Sequence, residues 1–137
     1  PFDVQLKMAE DFGILLDEIE RNERSLIHGP LGELIAQRVY GVHDPDILKA
    51  IRLHTIGDVN MTLLDKIIFL SDYIEPNRDF PGVDKLREKA FKDLDDAVIA
   101  AFDSTIKFVI EGGNLLHYRS VKARNYILLQ KRGEGKR

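Results

Sequence analysis

The chain has 137 residues, 44% of them hydrophobic, and its 23 acidic and 20 basic side chains give a formal net charge of −3. This length and composition indicate one soluble globular domain. The absence of cysteine excludes a disulfide framework, a zinc finger and a thiol nucleophile, so any metal must be bound by His, Asp or Glu. The longest strongly apolar run, residues 67–70, is too short to span a membrane, and we predict a cytoplasmic protein with no membrane partner.

Helices are predicted along the whole chain from apolar periodicity and from start and stop signals, and no alternating strand pattern interrupts them. A Gly29-Pro30 pair places the regular part of the third helix near Pro30, and the end of the chain is expected to fray. The predicted fold class is all-α. The predicted helices are residues 3–12, 14–22, 26–39, 45–56, 63–75, 83–90, 94–111 and a last helix that Ser120 opens.

Two of these helices have strong terminal signals. Asp44 can cap a helix whose first position is Pro45. Thr62 and Asp65 have the spacing of a capping box, and Pro76 ends the helix that they begin. These signals therefore predict one helix that begins at Pro45 and another that ends at Glu75.

The last predicted helix is basic. Residues 115–137 hold seven Lys or Arg and one acid, a local balance of +6, so the preceding residues carry −9. Such a basic segment can contact phosphates. An acidic body of this kind argues against extended duplex DNA, and we predict no nucleic-acid partner.

Three polar residues lie in unexpected, apolar surroundings. His54 lies on the apolar face of its helix, Asp72 follows the apolar run 67–70, and His28 precedes a helix start among apolar neighbours. A histidine on an apolar face is commonly a satisfied core residue, and a carboxylate there commonly pairs with an arginine. The alternative is that the fold brings the three together as ligands of a first-row metal.

Three motifs carry a resemblance to a known family: "HGPLG" at residues 28–32, "AIRLHT" at 50–55 and "LLDKIIFLSDYIEPNRDFPGV" at 63–83. The chain resembles the HD-domain phosphohydrolases and, more narrowly, the symmetrical bis(5′-nucleosyl)-tetraphosphatases. The resemblance covers nearly the whole chain and implies an HD-domain helical bundle that occurs as a homodimer.

One departure from the family pattern concerns the metal site. That site consists of a first His, a His-Asp doublet, two single His and a final Asp, and only the last three are present, as His28, His54 and Asp72. The doublet at residues 43–44 lies between the two histidines instead of before them. The resemblance therefore implies that residues 1–137 are the C-terminal portion of one HD domain. Alone, this portion is expected to be inactive and to expose apolar faces such as that at residues 67–68.

The resemblance implies hydrolysis of diadenosine tetraphosphate into two ADP by a metal-activated water. The cofactor is one or two divalent ions, for which the family favours iron and the His and carboxylate donors also suit manganese or cobalt. Asp72 would bind the principal ion. His28 and His54 would bind a second ion or contact the phosphates directly.

The substrate-binding residues implied by the resemblance lie in two segments. Arg78 is expected to clamp phosphate oxygens, and its alternative role is that of a solvated loop arginine. A second segment is expected to lie over the nucleoside, where an aromatic ring could stack on a base, and its alternative is a basic surface contact. The residues of this second segment are Leu115, Leu116, His117, Tyr118, Arg119 and Ser120.

Two other functions remain open from the sequence. One is an HD phosphohydrolase that acts on a nucleoside triphosphate, a nucleoside monophosphate or an alarmone. The other is a helical binding module without catalysis, in which the histidines and Asp72 are structural relics.

Overall fold

The computed structural model describes residues 1–135, in which helices are joined by short loops. This confirms the all-α prediction. None of the helices within residues 1–135 is long and apolar enough to cross a lipid bilayer. The helices are α1 (Phe2–Asp11), α2 (Glu18–Asn22), α3 (His28–Arg38), α4 (Pro45–Leu53), α5 (Leu63–Ile74), α6 (Val83–Ala90), α7 (Leu94–Glu111) and α8 (Tyr118–Glu134), with a short 3-10 turn at Arg24–Leu26.

The capping signals in the sequence form the hydrogen bonds expected of them. The Asp44 carboxylate accepts a hydrogen bond from the Asp46 N–H at 2.9 Å and begins α4. The Thr62 hydroxyl accepts from the Asp65 N–H at 3.2 Å, and the Asp65 carboxylate accepts from the Thr62 N–H at 2.8 Å. This capping box begins α5, so both predictions are confirmed.

Two helix starts differ from the predictions. The second helix begins at Glu18 and not at residue 14, because Asp17 and Glu20 form a capping box that the sequence reading did not identify. The last helix begins at Tyr118 and not at Ser120, because the His117 side chain caps it by accepting the Arg119 N–H at 3.1 Å.

Three further boundaries also differ. α3 is already helical from His28, two residues before Pro30, where its regular part was predicted to begin. α4 ends at Leu53, where His54 forms the C-terminal cap, three residues before the predicted end. α8 continues through Glu134, so the predicted fraying is wrong at residues 133–134, and residues 136–137 lie outside the described part of the chain.

The main core lies between α5, α7 and α8. Phe69 and Phe102 stack at its centre with their ring centroids 4.4 Å apart, and Ala123 and Ile127 of α8 cover them. Full burial of one such side chain contributes roughly 1.5–3 kcal/mol to stability. Because Asp72 lies one helical turn after Phe69, the core fixes the helix that carries it.

The expected exposure of apolar side chains on α5 is confirmed. Ile67 and Ile68 are 43% and 39% exposed, and Leu63 on the preceding turn is 67% exposed. On the neighbouring helix α4, Ile47 is also exposed and does not belong to the core. The apolar periodicity of α4 and α5 therefore continues beyond the face that is packed in this structure.

Candidate active site

Two predicted site residues, His28 and His54, are in direct contact. His28 is the first residue of α3 and His54 follows the last residue of α4, and their Nε2 atoms are 3.0 Å apart. The two helices approach closely because Gly29 has no side chain, since a Cβ atom there would lie 2.7 Å from the Arg52 carbonyl oxygen. The glycine of the "HGPLG" motif therefore allows the two imidazoles to meet.

The hydroxyl group of Thr55 lies at the same point. Its Oγ1 atom is 3.0 Å from His28 Nε2 and 3.3 Å from His54 Nε2. Three polar atoms that can each donate or accept a hydrogen bond thus converge beside the apolar packing of α3 on α4. Thr55 was not among the predicted site residues, although it directly follows His54 in the motif "AIRLHT".

The ring orientation of His54 is fixed by the backbone. Its Nδ1–H donates a hydrogen bond to the Ile51 carbonyl oxygen at 2.6 Å, so the lone pair of Nε2 faces His28. A backbone carbonyl at the second ring nitrogen is the usual arrangement for a metal-binding histidine, because it fixes both the tautomer and the ring plane.

The pKa of His28 is lowered by its surroundings. Burial is the main cause and the adjacent His54 the second, opposed by a hydrogen bond with the backbone of Ser25 and by the negative charge of Asp72. Because this pKa lies below the ordinary value of 6.5, His28 is mostly neutral at pH 7. The neutral imidazole is the form that binds metals.

Asp72 lies close enough to His28 for its negative charge to act on the pKa of that imidazole. Its side chain is 51% exposed, and its Oδ1 atom accepts a hydrogen bond from Arg78 Nη2 at 3.3 Å. Arg78 Nε also donates to the Asp72 carbonyl oxygen at 2.8 Å. The arginine predicted to bind phosphate is therefore held against the carboxylate predicted to bind metal.

The donor atoms of these residues suit a divalent ion. Two imidazole nitrogens and an accessible carboxylate are ligands that iron, manganese and cobalt accept. Within residues 1–135, a different set of three side chains has ligand atoms within 4.8 Å of one another, namely Asp17, Glu20 and His117.

The set of Asp17, Glu20 and His117 is an ion-pair network. His117 is 2% exposed, and its Nε2–H donates to Asp17 Oδ2 at 2.7 Å. Arg119 Nη2 donates to Glu20 Oε1 at 2.5 Å and supplies the positive charge that the carboxylates require. The network attaches the start of α8 to α2 and was missed from the sequence, because its partners are about 100 residues apart.

The segment predicted to contact a nucleoside contains both exposed and buried side chains. Leu115 and Tyr118 are exposed, and Leu116 and Arg119 are partly buried. Ser120 is buried, and its hydroxyl donates to the Ile56 carbonyl oxygen at 2.7 Å. Leu115 and Tyr118 are therefore the side chains of this segment that are most accessible to a ligand.

A cleft of about 260 Å³ lies between residues 14–20 and helices α3 and α4, and neither His28 nor His54 lines it. Pro30 and Arg52 form part of its wall. Arg119 brings the nucleoside segment to the same cleft. The remaining lining residues are Ile14, Leu15, Leu16, Glu20, Glu33 and Leu34.

Comparison with known proteins identifies the family. A solved structure from Clostridium acetobutylicum, described as a predicted HD superfamily hydrolase involved in NAD metabolism, superposes with a TM-score of 0.90. It is 43% identical, and the match covers 95% of this chain and 69% of that one. The chain therefore belongs to the HD superfamily, which confirms the predicted family and the helical fold. No protein-family model matches the chain.

Two curated relatives have a more specific name. A protein from Halalkalibacterium halodurans is 44% identical over 107 residues, which are 78% of this chain and 57% of the relative. A protein from Bacillus subtilis is 51% identical over 86 residues, which are 63% of this chain and 46% of the relative. Both are named symmetrical bis(5′-nucleosyl)-tetraphosphatase. The chain spans about half the length of these relatives.

Proposed function

We propose that this chain is part of a metal-dependent hydrolase that cleaves diadenosine tetraphosphate symmetrically into two ADP. The observation that carries the proposal is the meeting of His28 and His54, whose Nε2 atoms are 3.0 Å apart with the Thr55 hydroxyl beside them. Three curated relatives at 36–51% identity bear the name of this activity, which supports the choice of substrate.

The proposed metal ligand in this chain is Asp72, with His28 and His54 binding a second ion or the phosphates. A bound divalent ion, for which the family resemblance favours iron, supplies a water of lowered pKa and positive charge near the phosphates. The Thr55 hydroxyl can donate a hydrogen bond to a phosphate oxygen. Arg78 can bind two phosphate oxygens at once, because its guanidinium is a planar fork of donors.

The nucleoside is assigned to Leu115–Ser120 and to the adjoining cleft, where the exposed ring of Tyr118 can stack on a base. In this proposal the remaining metal ligands come from a segment outside residues 1–137, in keeping with the chain's coverage of about half of the relatives. A cytoplasmic homodimer is a further part of the proposal and rests on the family resemblance.

The test is hydrolysis of diadenosine tetraphosphate with Fe²⁺, Mn²⁺ or Co²⁺, followed by chromatography of the products. It uses the chain alone and the extended protein, which is the same chain preceded by the proposed upstream segment. We expect ADP as the sole product from the extended protein and no turnover, with weak metal retention, from the chain alone. ATP and AMP as products, or faster turnover of another nucleotide in a panel, would contradict the assigned reaction.

The residue assignment is tested in the extended protein with Asp72→Asn. The amide retains the shape but loses the charge that balances the cation, so turnover should be abolished while the fold is retained. Asp46→Asn is the matched control, since Asp46 is an exposed aspartate in the first turn of α4, at the opposite end of that helix from His54. Wild-type turnover of Asp72→Asn at limiting metal would exclude Asp72 as a ligand.

A further inference from the structure

Arg87 on α6 makes hydrogen bonds to three successive points of the loop after α5. Its Nε donates to the Ile74 carbonyl oxygen at 3.1 Å. Its Nη2 donates to the carbonyl oxygens of Glu75 at 2.9 Å and Arg78 at 2.8 Å. A helix C-terminus leaves carbonyl groups without partners, and here one side chain satisfies them together with the turn that follows.

This turn determines where Arg78 lies. The chain leaves α5 at Glu75 with φ −56° and ψ 150°, and the Arg78 N–H then returns to the Glu75 carbonyl oxygen at 3.0 Å. Arg87 binds the carbonyl groups at both ends of this turn. Arg78 is the last residue of this turn, and its side chain extends back to Asp72, where Nε donates to the Asp72 carbonyl oxygen at 2.8 Å.

We propose that Arg87 is a positioning residue that holds Arg78 beside Asp72 for binding of the substrate phosphates. This inference rests on the proposed function, in which Arg78 binds phosphate. Arg78 has a long, half-exposed side chain. If the turn were mobile, this side chain would lose its rotamer freedom only when phosphate binds, and the entropy cost would reduce the affinity. With the turn fixed by Arg87, this loss of freedom is incurred on folding, and affinity for phosphate increases.

The carbonyl contacts explain why this position requires an arginine. Arg87 Nη1 also pairs with Asp84 at 2.9 Å, but the Asp84 side chain is 89% exposed, and exposed pairs contribute little. A planar guanidinium presents several donors in fixed directions and can bind separate carbonyl groups at the same time. Asp84→Asn should therefore leave the turn and ligand binding unchanged.

The first measurement is amide hydrogen exchange in residues 1–137. In Arg87→Gln we expect the Arg78 amide to exchange at least about tenfold faster. The reason is that the Glu75 carbonyl group, which accepts the Arg78 N–H, loses its hydrogen bond from Arg87. Arg124→Gln is the matched control. Arg124 is 29% exposed against 28% for Arg87, and its Nε contacts Asp103 at 2.8 Å, in an ion pair between α8 and α7.

The second measurement is ADP affinity of the extended protein with Mn²⁺, by isothermal titration calorimetry. Arg87→Gln should weaken binding about tenfold, the range expected for a charged hydrogen bond, and Arg124→Gln should not. In an Arg78→Ala background, Arg87→Gln should cause no further loss, because it acts through Arg78. If Arg87 only stabilised the fold, independently of Arg78, the losses of ADP binding free energy caused by the two substitutions would add.

The outcomes separate this inference from the proposed function. Unchanged exchange at Arg78 in Arg87→Gln, or a full additional loss of ADP affinity in the Arg78→Ala background, would overturn the positioning role. A wild-type extended protein that binds no ADP would contradict the proposed function, and the exchange data would still decide whether Arg87 holds the turn.

Discussion

Replacement of Gly29 by alanine should separate the two histidines. A Cβ atom at Gly29 would lie 2.7 Å from the Arg52 carbonyl oxygen, whereas van der Waals contacts of carbon are about 3.5 Å. The obstacle is backbone, so α3 must move roughly 0.5–1 Å away from α4. Because His28 immediately precedes Gly29, the 3.0 Å separation of its Nε2 from that of His54 should increase by a similar amount.

The expected change in stability is the difference between two effects. Overpacking costs about 1–3 kcal/mol, and alanine is favoured over glycine in a helix by about 0.5–1 kcal/mol, so Gly29→Ala should lower the free energy of unfolding by up to about 2.5 kcal/mol. Gly32→Ala is the matched control on the same helix, because its Cβ would meet only the Ile51 Cγ2 atom, at 3.4 Å. That variant should gain up to about 1 kcal/mol from helix propensity.

Urea unfolding followed by circular dichroism measures both free energies of unfolding, and turnover of the extended protein measures the effect on the site. A displacement near 1 Å can reduce a rate by about 100-fold, so Gly29→Ala should lose most of its activity and Gly32→Ala should retain it. If Gly29→Ala is as stable as Gly32→Ala and turns over substrate normally, close packing at Gly29 does not control the contact between His28 and His54.

Three other predictions concern the ligand, acid stability and the core. Arg78→Ala should raise the KM of the extended protein and leave its metal content unchanged, since a phosphate clamp contacts the substrate and not the ion; loss of metal on purification would contradict this role. Burial acts to raise the pKa of Asp17, but hydrogen bonds from the Glu20 N–H and from His117 and the positive charges nearby lower it overall. A folded pKa below the ordinary 3.8 means that the charged carboxylate stabilises the protein above pH 3.8 and that this contribution is lost as the pH falls through the folded pKa. The free energy of unfolding, measured in urea, should therefore fall more for the wild type than for Asp17→Asn as the pH is lowered below 3.8. Phe102→Ala should lower the free energy of unfolding by about 3–5 kcal/mol, measured in urea, because its ring is buried at the centre of the main core, and a loss below about 1 kcal/mol would show that the core collapses around the cavity.

The sequence by itself determined the features that depend on neighbouring residues. The caps at Asp44 and Thr62 and the stop at Pro76 act within one helical turn, and α4 and α5 begin and end close to the positions that these signals predict. Local hydrogen bonds and apolar periodicity require no knowledge of the fold, and for this reason these helix predictions were confirmed. The family motifs also predicted one site formed by His28, His54 and Asp72, and its role as a metal site stays a prediction.

The tertiary structure decided the features that join distant parts of the chain. Ser120 was predicted to open the last helix on local preference, but His117 begins it, because Asp17, 100 residues away, binds the other side of the His117 ring. The position of Thr55 beside both histidines likewise depends on how α3 packs on α4. A side chain that could cap, ligate or pair is committed to one role by its spatial neighbours, since a buried polar atom must find its partner wherever the fold supplies one.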